Sequence, residues 1–227
     1  MPITKILKKN IFENFKKNEL IYYVETGVHE GFSIYQSLEI GFQNIFGIEK
    51  NLDYVKNVKN RFKKNTSIHI IHADSRNGLE EVFKKKINNT FVYLDAHGHL
   101  EIDDSPVEEE MIFLKKKNEL IKLLIVDDFY QIKKKSGDWQ KNTNLKDLLK
   151  LSENFFDNHN TFVKEIFYYY GGWFKRKKNS YLVISRDIKL KNYNFFYRVM
   201  NEIYIFLLHK IKSIIKKCSL RVKMFYL

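Results

Sequence analysis

Short apolar runs alternate with longer amphipathic stretches through the first half of this chain. The runs lie at Leu20–Val24, Asn44–Ile48, Ser67–Ile71, Thr90–Leu94 and Ile121–Val126, and are rich in β-branched and aromatic residues. Between them, Ser33–Gly41, Leu52–Lys63, Gly78–Lys86 and Val107–Asn118 carry apolar residues at helical spacing. Strand, helix, strand in repetition predicts parallel strands joined by crossover helices, with both sheet faces covered. After Phe129 the pattern changes. Residues 130–144 are polar and predict a long loop, and a helix follows over Leu145–Ser152. Thr161–Tyr170 and Ser180–Ser185 then flank Gly171-Gly172 and a basic stretch, as an antiparallel pair closing one sheet edge would. The expected fold is therefore α/β, a Rossmann-like doubly wound sheet, mostly parallel, with an antiparallel edge pair and a C-terminal helical basic tail. Two domains are expected: the α/β unit over 1–187 and the tail over 188–227.

Composition narrows the classes. Hydrophobic residues make up 44% and charged residues 30% of the 227, which excludes disordered and collagen-like chains. Cys218 is the single cysteine, so neither an internal disulfide nor a cysteine-based zinc site can form. That favours a reducing, cytoplasmic setting. Residues 1–19 lack an apolar stretch of signal-peptide length, and the run Ile203–Leu208 is too short to cross a bilayer. Forty Lys and Arg against 27 Asp and Glu leave +13, which points to an anionic neighbour. The tail over 188–227 holds nine Lys or Arg and one acid, mixed with Ile, Leu, Phe and Tyr. Such a mixture suits the surface of an anionic membrane, and peripheral attachment to its inner face is the expectation.

The polar residues that carry chemistry fall at the C-terminal ends of the expected strands, where open α/β sheets bind ligands. The first strand runs into E-T-G-V-H-E-G-F-S, residues 25–33, whose Gly27 and Gly31 permit a tight turn and close backbone approach. This is not G-x-G-x-x-G, which counts against a dinucleotide dehydrogenase. The second strand ends in Glu49, twenty-four residues after Glu25; a carboxylate there can accept both hydroxyls of a ribose. The third runs into Asp74-Ser75, suited to an adenine amino group and ring nitrogens, with Asp74 equally suited to capping the next helix. The fourth ends at Asp95 and the fifth at Asp127-Asp128.

In these residues the sequence resembles the class I S-adenosylmethionine-dependent methyltransferases, over about residues 20–130. The turn is most similar to the metal-dependent catechol O-methyltransferase-like branch, where E-x-G-x-x-x-G-[YF]-S replaces the common glycine-rich motif. The resemblance implies that Gly27, Gly31 and Ser33 border the methionine part of S-adenosylmethionine, Glu49 its ribose, and Asp74 with Ser75 its adenine, with Glu25 and Thr26 also among the cofactor-binding residues. It also implies magnesium, or another divalent cation, held by Asp95, Asp127 and Asp128. Two departures stand out: Asp128 replaces the usual Asn, and Gly98 stands where the branch has a lysine. His97, or His99, is the expected general base in its place. The implied reaction is methyl transfer to a hydroxyl oxygen of a small molecule or glycan. A nucleic-acid methyltransferase and a non-catalytic adaptor using the basic tail are the alternatives.

Overall fold

The computed structural model describes residues 7–8, 11, 20–96, 105–134, 143–170 and 177–188, without the side chains of 169, 170 and 177. Seven strands form one sheet: β1 (Tyr22–Thr26), β2 (Asn44–Glu49), β3 (Ile68–His72), β4 (Thr90–Leu94), β5 (Ile121–Val126), β6 (Thr161–Tyr170) and β7 (Lys177–Arg186). Their order is β3-β2-β1-β4-β5-β7-β6. The first five are parallel. β7 is antiparallel to β5, and β6 is antiparallel to β7. β6 therefore points the same way as the first five, so within the expected edge pair only β7 is reversed.

The α-helices between them among the described residues are α1 (Phe32–Ile40), α2 (Leu52–Arg61), α3 (Ser75–Phe83), α4 (Val107–Lys115), α5 (Phe129–Lys134) and α6 (Leu145–Glu153). Alternate strand residues supply two cores, which is why the central strands read as continuous apolar runs. Tyr23, Ile45, Phe91, Leu123 and Ile125 face α1 and α2. Val24, Phe46, Val92, Leu124 and Val126 face α3, α4 and α6. Local capping sets the helix starts. Asn51 accepts from the Asp53 and Tyr54 amides at 2.9 and 3.3 Å, and Asn144 accepts from Lys146 at 3.1 Å.

Two expectations change. The polar loop expected over 130–144 begins instead as helix α5, because Phe129 and Ile132, three residues apart, bury one side of a short turn. β7 starts at Lys177, ahead of Ser180, because its ladder to β6 continues beyond the last residue of β5. The chain divides into two units, Met1–Leu190 and Lys191–Leu227. Unit 2, which holds nearly all of the expected basic tail, lies outside the described residues, as do His97 and His99. Among the described residues no helix is long and apolar enough to cross a membrane.

Candidate cofactor site and acceptor edge

The ladder between β1, β2, β4 and β5 continues one bond past the strands and fixes their ends. The Gly27 amide donates to the Ile48 carbonyl at 2.9 Å, Asp95 to Thr26 at 3.1 Å, and Asp127 to Leu94 at 3.0 Å. All the acidic strand ends thus share one edge. Gly27 has φ +75°, and a Cβ built there would lie 2.3 Å from the Asp95 carbonyl oxygen. No side chain fits, because the obstacle is backbone. Gly31 has φ +77° and starts α1, and a Cβ added there would press on the Val58 and Phe62 side chains at 3.2–3.3 Å.

Glu25 is fully buried at the end of β1. Its carboxyl accepts from the Ser33 hydroxyl and, at 3.1 Å, from the Tyr23 hydroxyl. Ser33 is thereby tied back from α1 to β1, closing the turn. Burial pushes the Glu25 pKa up to about 8, tempered by the Ser33 bond and reinforced by Asp95. Glu49 fastens the same turn from the other side. Its Oε2 accepts from the His29 amide at 2.8 Å and its Oε1 from the Asn51 amide at 2.7 Å. Each carboxylate oxygen keeps a further acceptor site, so two hydroxyls can still be received.

Asp74 caps α3 and is also occupied by Arg76, whose amide and Nε donate to Oδ1 at 3.2 and 2.9 Å and whose Nη2 donates to Oδ2 at 3.3 Å. These bonds hold its pKa below the usual carboxylate range. Arg76 also bridges to Glu109 on α4 at 2.9 Å.

Ser75 and Thr26 face a residue that sequence reasoning missed, Glu110. Its helix α4 buries Val107, Glu110, Met111 and Leu114. A glutamate on that apolar stripe was the available signal; within the run Glu108-Glu109-Glu110 it reads merely as first-turn acid. Burial pushes its pKa up to about 7, tempered by the Ser75 and Thr26 hydroxyls. Its Oε1 nonetheless makes no hydrogen bond among the described residues.

At the β5 end, Asp127 is fully buried. The Tyr93 hydroxyl donates to its Oδ2 at 2.5 Å, and the Tyr168 hydroxyl and the Asp128 amide both donate to Oδ1 at 2.6 Å. Burial, with Asp95 and Asp128 close by, pushes its pKa up to about 7; the same burial raises both tyrosines. Asp128, at φ +52°, accepts from the Asn179 amide group. Tyr93, Tyr168 and Asn179 were not foreseen, since the last two reach the site only through the β6–β7 register.

The expected magnesium site does not take shape. A hard cation needs carboxylate oxygens turned to a common point. Among the described residues no three His, Cys, Asp or Glu side chains gather to hold a metal ion. Both Asp127 oxygens are already engaged by tyrosines and backbone.

The raised acids set a pH dependence. Each binds its proton more tightly folded than unfolded, so its own contribution to stability is fully present below about pH 4 and is lost as pH rises through 7–8. Glu110→Gln is expected to raise the thermal midpoint at pH 8 by about 3–8 °C and to change it little at pH 5. Equal shifts at both pH values in calorimetry would contradict the assignment.

No protein-family description matches the chain, and no curated protein does. Solved structures do. An O-methyltransferase from Bacillus cereus in complex with S-adenosylhomocysteine superposes with a TM-score of 0.51 at 11% identity, covering 79% of this chain and 77% of that one. The fold is that of the class I methyltransferases. A Staphylococcus aureus protein described as a caffeoyl-CoA O-methyltransferase gives 0.50 at 15% identity, over 79% of this chain and 81% of that one. A Streptococcus pneumoniae protein described as a tRNA (m1A22) methyltransferase gives 0.51 at 12%, over 85% and 73%. The last two likenesses are equal in degree, so the fold serves both chemistries and does not by itself select the catechol-type branch.

Proposed function

We propose that this chain transfers a methyl group from S-adenosylmethionine to a hydroxyl oxygen. The observation that carries the reading is the Glu25–Ser33 turn, with Gly27 in a backbone crevice and its His29 amide bound by Glu49. S-adenosylmethionine, when bound, supplies an activated methyl group on a sulfonium leaving group. Gly27, Gly31 and Ser33 border its methionine part, and the spare acceptor sites of Glu49 receive its ribose hydroxyls. Asp74 and Ser75 flank the adenine, Asp74 remaining fixed by Arg76. Glu25, buried behind Ser33, holds the turn in shape. On the acceptor side, the Asp127–Tyr93–Tyr168 group stiffens the wall beside Asp95, and alignment of the acceptor in line with the methyl group is the chief demand on such a site. His97, two residues past Asp95, takes the hydroxyl proton. No step of this reading runs through a metal ion.

The acceptor is a sugar hydroxyl on a nucleotide-linked or lipid-linked glycan, with the basic tail resting on an anionic membrane surface. Incubation with methyl-labelled S-adenosylmethionine and separate pools of nucleotide sugars, glycolipids and RNA tests this. Label is expected as an alkali-stable methyl ether in one of the first two pools. Label confined to RNA would replace the sugar reading with a nucleic-acid one.

A further inference from the structure

The β6–β7 hairpin is longer than closing the sheet requires. The last β5–β7 pair is Val126↔Leu182, yet β6 and β7 stay paired from Ile166↔Tyr181 to Tyr170↔Lys177. Five residue pairs therefore project past β5, about 17 Å at the usual strand rise. Because β7 is reversed, this projection stands on the edge that carries Asp95, Asp127 and Asp128. One of its faces holds Tyr168 and Asn179 against those acids. Its other face, with α5, holds a cluster that the methyl-transfer chemistry does not use.

In that cluster Tyr130 and Phe167 pack edge to face, with centroids 6.4 Å apart. Lys178 Nζ lies 4.1 Å from the Phe167 centroid and 5.2 Å from that of Tyr130, and Lys134 Nζ lies 5.8 Å from Tyr130. Lys133 differs, donating to Glu165 Oε2 at 2.6 Å, while Ser180 occupies Glu165 Oε1 at 2.6 Å. Glu165, the carboxylate of this cluster among the described residues, is thus spent on Lys133. Neither Lys134 nor Lys178 has a carboxylate within salt-bridge distance among the described residues. An aromatic ring positions an ammonium group without neutralising it, so both charges stay available to an anion. Two ammonium groups against one ring match the several oxygens of a phosphate or diphosphate, for which lysine serves as a point charge. A nucleic acid instead needs a long cationic track with open ring faces for stacking, and here Lys178 and Lys133 already lie against Phe167.

We infer that Lys134 and Lys178, set by Tyr130 and Phe167, bind the phosphate or diphosphate of the methyl acceptor. This rests on the methyltransferase reading for its purpose, though not for its detection. The full chain, saturated with S-adenosylhomocysteine, is titrated with inorganic pyrophosphate, with uridine 5′-diphosphate and with vesicles containing phosphatidic acid. The double variant Lys134→Gln/Lys178→Gln is expected to bind pyrophosphate at least about tenfold more weakly, with affinity for S-adenosylhomocysteine unchanged. Lys59→Gln/Lys63→Gln, at the opposite sheet edge, should match the wild type. Tighter binding of uridine 5′-diphosphate than of pyrophosphate identifies a nucleotide-borne phosphate. Vesicle binding lost in the first variant, without that preference, identifies a lipid-borne one. Equal loss in both lysine pairs, or in neither, overturns the inference. So does a single-stranded RNA that binds far more tightly than pyrophosphate and depends on Lys134 and Lys178. Selective pyrophosphate loss in a chain that binds no S-adenosylhomocysteine would keep the phosphate site and remove the methyltransferase reading.

Discussion

Gly27→Ala is expected to abolish detectable S-adenosylhomocysteine binding and to destabilise the chain by more than about 3 kcal/mol. Two costs combine. At φ +75° an L-residue is strained, by roughly 1–2 kcal/mol. The new methyl group would also meet the Asp95 carbonyl oxygen at 2.3 Å, its carbon at 2.6 Å and the Ala96 nitrogen at 2.8 Å. None of these atoms can swing aside as a side chain would. Relief requires β1 and β4 to separate at their ends, which breaks the bond from Asp95 to Thr26. Gly41→Ala is the matched control, since Gly41 has φ +102° but nothing within 4 Å of its added Cβ. It should cost only the strain, about 1 kcal/mol, and leave binding intact. Denaturant titration and calorimetry on the two variants would show the contrast, and wild-type ligand affinity in Gly27→Ala would contradict the geometry.

Asp127→Ala is expected to cause the second large effect, on stability rather than on ligand binding. The wild-type carboxyl receives the Tyr93 and Tyr168 hydroxyls and the Asp128 amide inside a fully buried site. Truncation leaves those donors without their acceptor, at about 1–3 kcal/mol each where burial denies them water. It also opens a small cavity. Asp127→Asn keeps one carbonyl acceptor and should lose far less. Tyr93→Phe combined with Tyr168→Phe removes the donors and should lessen the penalty of Asp127→Ala, a coupling that a double-mutant cycle reads directly. Additive effects in that cycle would mean the tyrosines do not depend on Asp127.

The sheet was legible because its signals are local and strong. Runs such as Thr90–Leu94 and Ile121–Val126 are apolar on both faces, and the structure gives β4 and β5 those same limits. The glycine turn was legible for a similar reason, since Gly27 and Gly31 occupy conformations that few other residues adopt. What sequence could not show depends on register. Tyr168 meets Asp127, and Asn179 meets Asp128, across 41 and 51 residues of chain. Nothing in F-Y-Y-Y or K-K-N-S marks which tyrosine or amide faces the acids, because a one-residue slip exchanges the two faces of a strand. The same limit applies to the metal expectation: three aspartates at adjacent strand ends share an edge in sequence, but only the structure shows that both Asp127 oxygens accept hydrogen bonds from Tyr93, Tyr168 and the Asp128 amide. Glu110 was closer to hand, given its place on the Val107–Met111–Leu114 stripe. The start of α5 directly after Asp128 was hidden by the polar composition of residues 130–144.

Calorimetric titration of the full chain with S-adenosylhomocysteine tests the central claim most directly. The account predicts saturable binding at one site per chain, and an affinity about 10- to 100-fold lower in Glu49→Ala, the loss expected for hydrogen bonds to a charged group. Absence of binding by the folded wild-type chain would contradict the account, leaving a methyltransferase fold without its cofactor.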